Sequence, residues 1–237
     1  MADEATAALR RAAASYHENP EFLKNWSGLA QLDVVARTAQ QRAFVRGLGP
    51  VWPSLAGLDI LDFGCGSARW LRWYLELGAE VARVHGVDVS DARFAEARAI
   101  HPGLDLRQID GRTLPFADAS FDLVSQWVCF MCVPSHAWRL ELAAELRRVL
   151  RPGGYVFWWD TPRANPRLSD GAPLDPAAFF PGLAVHAQRV RLGGRPSDAF
   201  SPRLQPWLAP LLDWLTPGYS HIAARIGPAL PLPPPAA

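Results

Sequence analysis

Ile60-Leu-Asp62-Phe-Gly64-Cys-Gly66-Ser-Ala68-Arg69 is the stretch that decides the fold. An apolar run ends on a carboxylate, and glycines then open a helical segment. Buried strands of α/β sheets meet their crossover helices in this way, and glycine lets the backbone turn tightly and approach a ligand with no side chain in between. A dinucleotide fingerprint, G-x-G-x-x-G, requires glycine where Arg69 stands, and the Asp62 carboxylate beside the loop would repel a pyrophosphate. A ligand with an ammonium group and no phosphate suits an acidic strand tip better, because a carboxylate pairs with such a cation in a partly desolvated crevice.

Working outward, the same alternation repeats. Short apolar runs occupy Leu58 to Phe63, Val81 to Asp88, Leu104 to Ile109, Phe121 to Val128 and Gly154 to Asp160. Helical stretches lie between them at Ala68 to Leu77, Ala92 to Ile100 and His136 to Leu150, the last with Ser135 as N-cap. Strands that lose polar alternation are buried on both faces, so the pattern predicts a mostly parallel, doubly wound sheet with crossover helices. The second run ends at Asp88, 22 positions after Gly66. That is close to the roughly 20 expected of an acidic residue that reads ribose hydroxyls. Asp62 and Asp88 then flank one glycine turn from neighbouring strand tips. S-adenosylmethionine, a cationic nucleoside whose demethylated product is S-adenosylhomocysteine, matches such a seat.

Helical periodicity over Asp3 to His17 and Gly28 to Leu48, the second with Leu32, Val35, Ala36 and Ala39 as its stripe, predicts an N-terminal helical cap over residues 1–50. The main domain is expected over 51–226. Past Asp160 the chain is rich in Pro, Arg and Gly through Pro181, then strand-like at Ala184 to Leu192, helical near Leu204 to Leu215, and strand-like again at Ser220 to Ile226. Residues 161–218 are therefore expected as a substrate-side insertion or lid, and 227–237 as a disordered proline-rich tail.

The sequence resembles the class I methyltransferases of the methyltransferase 11 and 25 type. Besides the glycine turn and Asp88 it carries Ile109-Asp110-Gly111, then Leu114-Pro115-Phe116-Ala-Asp118-Ala-Ser-Phe121-Asp122-Leu-Val124, and Leu146-Arg-Arg-Val-Leu-Arg151-Pro152-Gly153-Gly154. The resemblance covers Leu58 to Asp160 and implies a Rossmann-like, seven-stranded sheet with an antiparallel last strand. It implies S-adenosylmethionine as cofactor, held by Asp62, Gly64, Gly66, Asp88 and Val89. Asp110, with Gly111, is implied at the adenine amino group, and Gln126 and Trp127 beside the cofactor. One departure stands out: the third glycine of G-x-G-x-G is Ala68, which is tolerated if that residue is helical with negative φ. A relative that keeps the fold without transfer activity is the alternative this raises.

Methyl transfer from a sulfonium is an in-line displacement, and positioning alone can contribute about 7 to 11 kcal/mol. No nucleophile is expected. For a hydroxyl acceptor a general base helps, and His136 and His221 are the candidates. Tyr16 and Trp26 are expected to fold over the site, with Asp160, Arg163 and Asn165 on the substrate side. Phe180-Pro-Gly182 and Ser220-His221-Ile222-Ala223 resemble the tails of family members that act on glycans and natural products, which implies O-methylation of a sugar or small natural product. The rival readings are a nicotinamide-dependent dehydrogenase, opposed by Asp62 and Arg69, and a catalytically silent partner protein.

Composition narrows the rest. With 24 basic and 23 acidic residues the formal charge is +1, which offers no broad field for nucleic acid or an anionic membrane. Met1 to Ala14 lacks the apolar core of a secretory signal, and no run is long enough to span a bilayer, so a cytoplasmic enzyme with a small-molecule substrate is expected, as monomer or homodimer. Cys65, Cys129 and Cys132 are odd in number, which suits a reducing compartment. Cys129-Phe-Met-Cys132 has C-x-x-C spacing but reads as the end of a buried strand, and no metal is expected.

Overall fold

The structure, a computed structural model, describes residues 4, 6, 7, 9–11, 30–192 and 219–230 of the chain. One sheet of seven strands organises them: β1 (Ile60–Phe63), β2 (Val84–Asp88), β3 (Asp105–Gln108), β4 (Phe121–Trp127), β5 (Leu150–Asp160), β6 (Ala184–Leu192) and β7 (Tyr219–Gly227), in the spatial order β3-β2-β1-β4-β5-β7-β6. β1 to β5 pair in parallel, while β7 runs antiparallel to both β5 and β6. From β1 the chain moves outward through β2 and β3, then returns to lay β4 on the other side of β1. That reversal opens a crevice beyond the carboxyl ends of β1 and β4, where ligands of open α/β sheets bind.

Among the described residues from 30 on, the helices that flank the sheet are α1 (Gln31–Leu48), α2 (Arg69–Glu76), α3 (Phe94–Ile100), α4 (His136–Val149) and the single turn α5 (Pro176–Phe179). β1 is buried at all four positions, as a central parallel strand must be, and strand alternation sends neighbouring residues into different layers. Phe157 and Trp159 enter one layer with Phe44 of α1, Trp70 and Tyr74 of α2 and Phe94 of α3. Val156 and Trp158 enter the opposite layer with Trp138 and Leu142 of α4 and Phe179 of α5. Each buried aromatic stabilises the fold by about 1.5–3 kcal/mol through area alone.

Element edges shift by a few residues from the sequence reading. β5 starts at Leu150, so Arg151-Pro152-Gly153-Gly154 belongs to the strand rather than preceding it. Its pairing with β4 changes register between Phe121 and Leu123, and Gly153 has φ +87. A bulge of this kind takes up the extra residues without ending the strand. Val81–Arg83 forms a 3-10 turn before β2 instead of strand. Ser135 caps α4 by accepting from the Trp138 N–H at 3.3 Å. Of the helix expected over Asp3 to His17, the described residues are helical; the rest of it, the helix near Leu204 to Leu215 and residues 231–237 of the expected proline-rich tail lie outside the described residues, while Gly227, expected in that tail, closes β7. No helix among the described residues is long and apolar enough to cross a membrane.

Candidate cofactor and acceptor site

The glycine turn is stitched to the neighbouring strand before any ligand arrives. Gly64 and Cys65 both donate their N–H to the Val87 carbonyl, at 2.8 and 3.0 Å, so the turn after β1 is anchored on β2. Gly64 has φ +75, and a side chain there would collide with Cys129 Sγ, so two independent reasons demand glycine. Gly66, φ +51, has nothing within 4 Å of where a Cβ would stand. Its bare face is the open side of the turn. Its N–H donates to Asp88 Oδ2 at 2.9 Å, and Ser90 N–H donates to Asp88 Oδ1 at 2.9 Å. The carboxylate at the tip of β2 is thereby aimed over the turn.

Asp62, expected as a carboxylate that pairs with a cation in a partly desolvated crevice, is buried outright. It is 1% exposed; Ser125 Oγ donates to its Oδ1 at 2.7 Å, and Oδ2 has no partner. Burial pushes its pKa up to about 8; the Ser125 bond opposes that rise and the charge of Asp88 adds to it. At neutral pH the Asp62 carboxyl therefore holds its proton. Behind Asp62 the polar chain continues through Ser125 to the Tyr74 hydroxyl, which also accepts from Trp127 Nε1 at 3.0 Å. Trp127 stacks on Trp70 with centroids 3.8 Å apart, so it belongs to the packing behind the turn rather than to a cofactor wall. Gln126 is likewise fully buried. Its Oε1 accepts from Cys129 N–H at 3.1 Å and its Nε2 donates to the Trp159 carbonyl at 3.4 Å, which shapes the turn after β4.

That turn carries strain. Val128 has φ +61, an unfavourable region for a β-branched residue that costs about 1–3 kcal/mol, and its N–H donates to Trp159 O at 2.7 Å. The kink turns Cys129 back over β1, where its thiol donates to Phe63 O at 3.1 Å. Burial pushes the Cys129 thiol up, so it stays protonated and serves as a donor. Cys129-Phe-Met-Cys132 is thus a turn followed by a 3-10 segment, Phe130–Cys132, and not the strand end that its apolar character suggested. A strand could not have placed Cys129 against Gly64.

The tip of β3 completes the rim. Asp110 Oδ1 accepts from Arg112 N–H at 2.8 Å and Thr113 N–H at 2.9 Å. Burial acts to raise its pKa, but the N–H groups of Thr113 and Arg112 outweigh it and hold the carboxyl below its ordinary value. Gly111, φ +80, has Leu9 Cδ2 and Val89 Cγ1 each 3.0 Å from where a side chain would project. Leu9 arrives from the amino-terminal segment, which is tied down by Thr6 Oγ1 to Asp110 O at 3.1 Å and by Arg10 Nε to Val89 O at 3.0 Å. The space enclosed by Leu9, Gly64, Asp88, Val89, Gly111 and Cys129 is about 50 Å³, room for a few waters.

The structure brings Gly64, Gly66, Asp88, Val89, Asp110 and Gly111 to one rim with Asp62 beneath it, and separates the remaining candidates. Asp160 is fully buried, accepting from Phe130 N–H at 2.9 Å and Thr161 N–H at 2.8 Å, so it clasps the turns after β4 and β5 instead of facing a substrate. Burial lifts its pKa to about 7 against those N–H bonds. His136 is exposed at the start of α4, its ring 5.6 Å from Phe179. His221 is buried and stacks on Trp159 at 5.3 Å. Because Phe179 packs on Trp158, the two histidines lie on opposite faces of the sheet. Arg163 is exposed and Asn165 donates its N–H to Met131 O at 2.9 Å, both in the loop after β5. Tyr16 and Trp26 lie outside the described residues.

Ala68 departs from the expectation that it is helical with negative φ: its φ is +56, left-handed, at the N-cap of α2. Sequence reasoning also missed Leu9, Cys129 and Arg139. Arg139 is fully buried on α4, donating to Phe130 O, Val133 O and Asp170 Oδ1, the last at 2.6 Å. It locks the turn after β4 to the loop after β5. An arginine at an otherwise apolar helix position was the available signal.

A family model described as a methyltransferase domain matches residues 60–154. The chain is 41% identical over 124 residues to a probable S-adenosylmethionine-dependent methyltransferase of Mycolicibacterium smegmatis, covering 51% of this chain and 45% of that protein. It is 34% identical over 113 residues to phthiotriol/phenolphthiotriol dimycocerosates methyltransferase 1 of Mycobacterium ulcerans, covering 47% of this chain and 40% of that one. The chain thus spans under half the length of these curated relatives. Among solved structures, the Burkholderia thailandensis 1,6-didemethyltoxoflavin-N1-methyltransferase, with 1,6-didemethyltoxoflavin and S-adenosylhomocysteine bound, superposes with a TM-score of 0.59 at 17% identity, over 97% of this chain and 91% of that one. A [4+2]-cyclase superposes with a TM-score of 0.53 at 19% identity, over 82% and 81%. At such identities the likeness is one of fold.

Proposed function

We propose, from the premise that residues 60–154 are a class I S-adenosylmethionine-dependent methyltransferase domain, that this chain transfers a methyl group from S-adenosylmethionine to a small-molecule acceptor. The observation that supports it most is the Asp88 carboxylate, held by Gly66 and Ser90 N–H groups beside an open glycine face. Asp88 is assigned to the ribose hydroxyls, Gly66 to close backbone approach, and Asp110 with Gly111 to the adenine edge. Asp62 is assigned to the ammonium end, where a nearby cation drives its proton off and turns a neutral carboxyl into a counter-ion. When bound, the cofactor supplies an activated methyl on a sulfonium; the chain's own residues orient and exclude water, with Phe63, Cys129 and Val133 as apolar lining.

The acceptor we assign is a hydroxyl of a sugar or natural product. The tail resemblance supports this, and so do the relatives named for phthiotriol derivatives. His136, exposed at the start of α4 just after the Phe130–Cys132 segment, is assigned as base, whereas His221 serves packing against Trp159. The test is release of S-adenosylhomocysteine across sugars, phenols and amines, with calorimetry of S-adenosylhomocysteine and NADH run side by side. Binding of NADH alone, or of neither, overturns the reading. A drop of about a hundredfold in turnover for His136→Ala at unchanged cofactor affinity supports the base; wild-type turnover removes it. A second reading, a silent methyltransferase-like binding protein, is favoured by the few waters' space that Leu9 leaves. Its mark is cofactor binding with no turnover on any acceptor.

A further inference from the structure

A second cavity, of about 330 Å³, lies between the last turns of α1 and the β7–β6 edge of the sheet, away from the rim just described. Its floor is one row of the sheet: Phe157 on β5 pairs with Arg225 on β7, which pairs with His186 on β6. Residues opposite one another on neighbouring strands point to the same face, so these three side chains rise together. Ala43, Arg46 and Gly47 of α1 close the cavity from the other side, and Gln188 lines its flank.

The charge in this cavity is one-sided. Arg225 is 6% exposed, yet among the described residues its guanidinium meets no carboxylate: Nη1 donates to Gly47 O at 3.1 Å, the group stands 5.7 Å over the Tyr155 ring, and Nε has no partner. Burying a guanidinium without a counter-ion is costly, and one carbonyl with one ring face offsets little of that cost. Arg46 and His186 stand at the same cavity, and no Asp or Glu is among its lining residues. Two guanidiniums, an imidazole and an amide around an aromatic and alanine floor form a donor-rich, anion-deficient pocket at the small end of ligand-sized cavities.

We propose that this cavity binds the carboxylate or phosphate of a small organic anion whose apolar body lies on Phe157 and Ala223. The site is independent of the methyl-transfer reading: it uses none of the rim residues and lies on the α1 face of the sheet.

The experiment uses the full chain, with benzoate, its neutral isostere benzamide, and inorganic phosphate as probes followed by ligand-observed NMR and thermal shift. Benzoate or phosphate is expected to bind the wild type in the millimolar range or tighter while benzamide does not. Arg46→Gln, an exposed rim change that leaves the core untouched, is expected to weaken the anion at least about fivefold. Arg225→Lys retains charge without the planar fork and should weaken it further. Benzoate without phosphate identifies a carboxylate ligand, and phosphate without benzoate a phosphate ester. Equal response to benzoate and benzamide, equal anion affinity in wild type and Arg46→Gln, or no response to either anion overturns the proposal, whether or not S-adenosylhomocysteine binds.

Discussion

Two carboxylates stand near the carboxyl ends of the strands on either side of β4, Asp62 on β1 and Asp160 on β5, and both are fully buried with their pKa values pushed up, to about 8 and about 7. Their surroundings differ in what they complete. Asp160 receives a backbone N–H on each oxygen, from Phe130 and Thr161, and so closes two turns on themselves. Asp62 receives one hydroxyl, from Ser125, and its second oxygen is left without a partner beneath the glycine turn. The same residue type at the same kind of strand tip is a clasp in one place and an incomplete seat in the other. What separates them is the count of donors within reach, since an unpaired buried oxygen retains the capacity to bind something else.

Deleting the clasp has the largest expected effect. Asp160→Ala leaves the Phe130, Met131 and Thr161 N–H groups unanswered and should lower unfolding stability by about 3 kcal/mol, measured by urea denaturation. Asp62→Asn at pH 7 replaces one neutral group by another of the same shape, so its stability change should stay under about 1 kcal/mol. Its affinity for S-adenosylhomocysteine, which retains the ammonium, should fall about tenfold or more by calorimetry. If Asp62→Asn unfolds the protein while Asp160→Ala does not, the two roles are assigned the wrong way round.

Protonation sharpens the contrast. Both carboxyls have folded pKa values above their unfolded ones, so the folded chain binds more protons than the unfolded chain over the intervening range. Their contribution is fully present below about pH 4 and is lost as pH rises through about 7 for Asp160 and about 8 for Asp62. The melting temperature of the unliganded protein should therefore fall between pH 6 and 9, and Asp62→Asn should flatten the upper part of that fall. Cofactor binding near pH 7 should release up to about one proton, visible as a dependence of binding heat on buffer ionisation enthalpy. The release should vanish in Asp62→Asn and persist in a chain altered only at Asp160.

The smallest effect is expected at Ala68, on the Asp62 side of the comparison. Its left-handed φ of +56 costs roughly 1 kcal/mol for a residue with a Cβ, while its buried methyl contributes nearly as much through packing. Ala68→Gly should change stability by less than about 1 kcal/mol in chemical denaturation. A large loss would mean that the methyl, not the backbone, governs this turn.

Most of the fold was legible because its signals are local. Apolar runs of strand length, glycines at Gly64 and Gly66, Ser135 before α4 and the carboxylate spacing from Gly66 to Asp88 are written in consecutive residues, and the sheet follows from their alternation. The rim residues of the site were legible for the same reason, since strand tips and glycine turns occur where strands end. Trp127, Gln126 and Asp160 also sit at strand ends but face inward, and a one-residue change of strand phase decides that. Leu9 reaches Gly111 across about a hundred residues, and Cys129 folds onto Gly64 only because Val128 adopts a strained turn; neither contact leaves a local trace.

By itself, then, the sequence determined the order of strands and helices, the position of the bare turn and the carboxylates beside it, because those depend on periodicity and on backbone freedom residue by residue. The tertiary structure alone decided that Asp62 holds a proton, that His136 and His221 stand on opposite faces, and that Arg225 is buried with no acid among the described residues to meet it. Desolvation and facing are properties of what surrounds a side chain, and the surroundings come from distant parts of the chain.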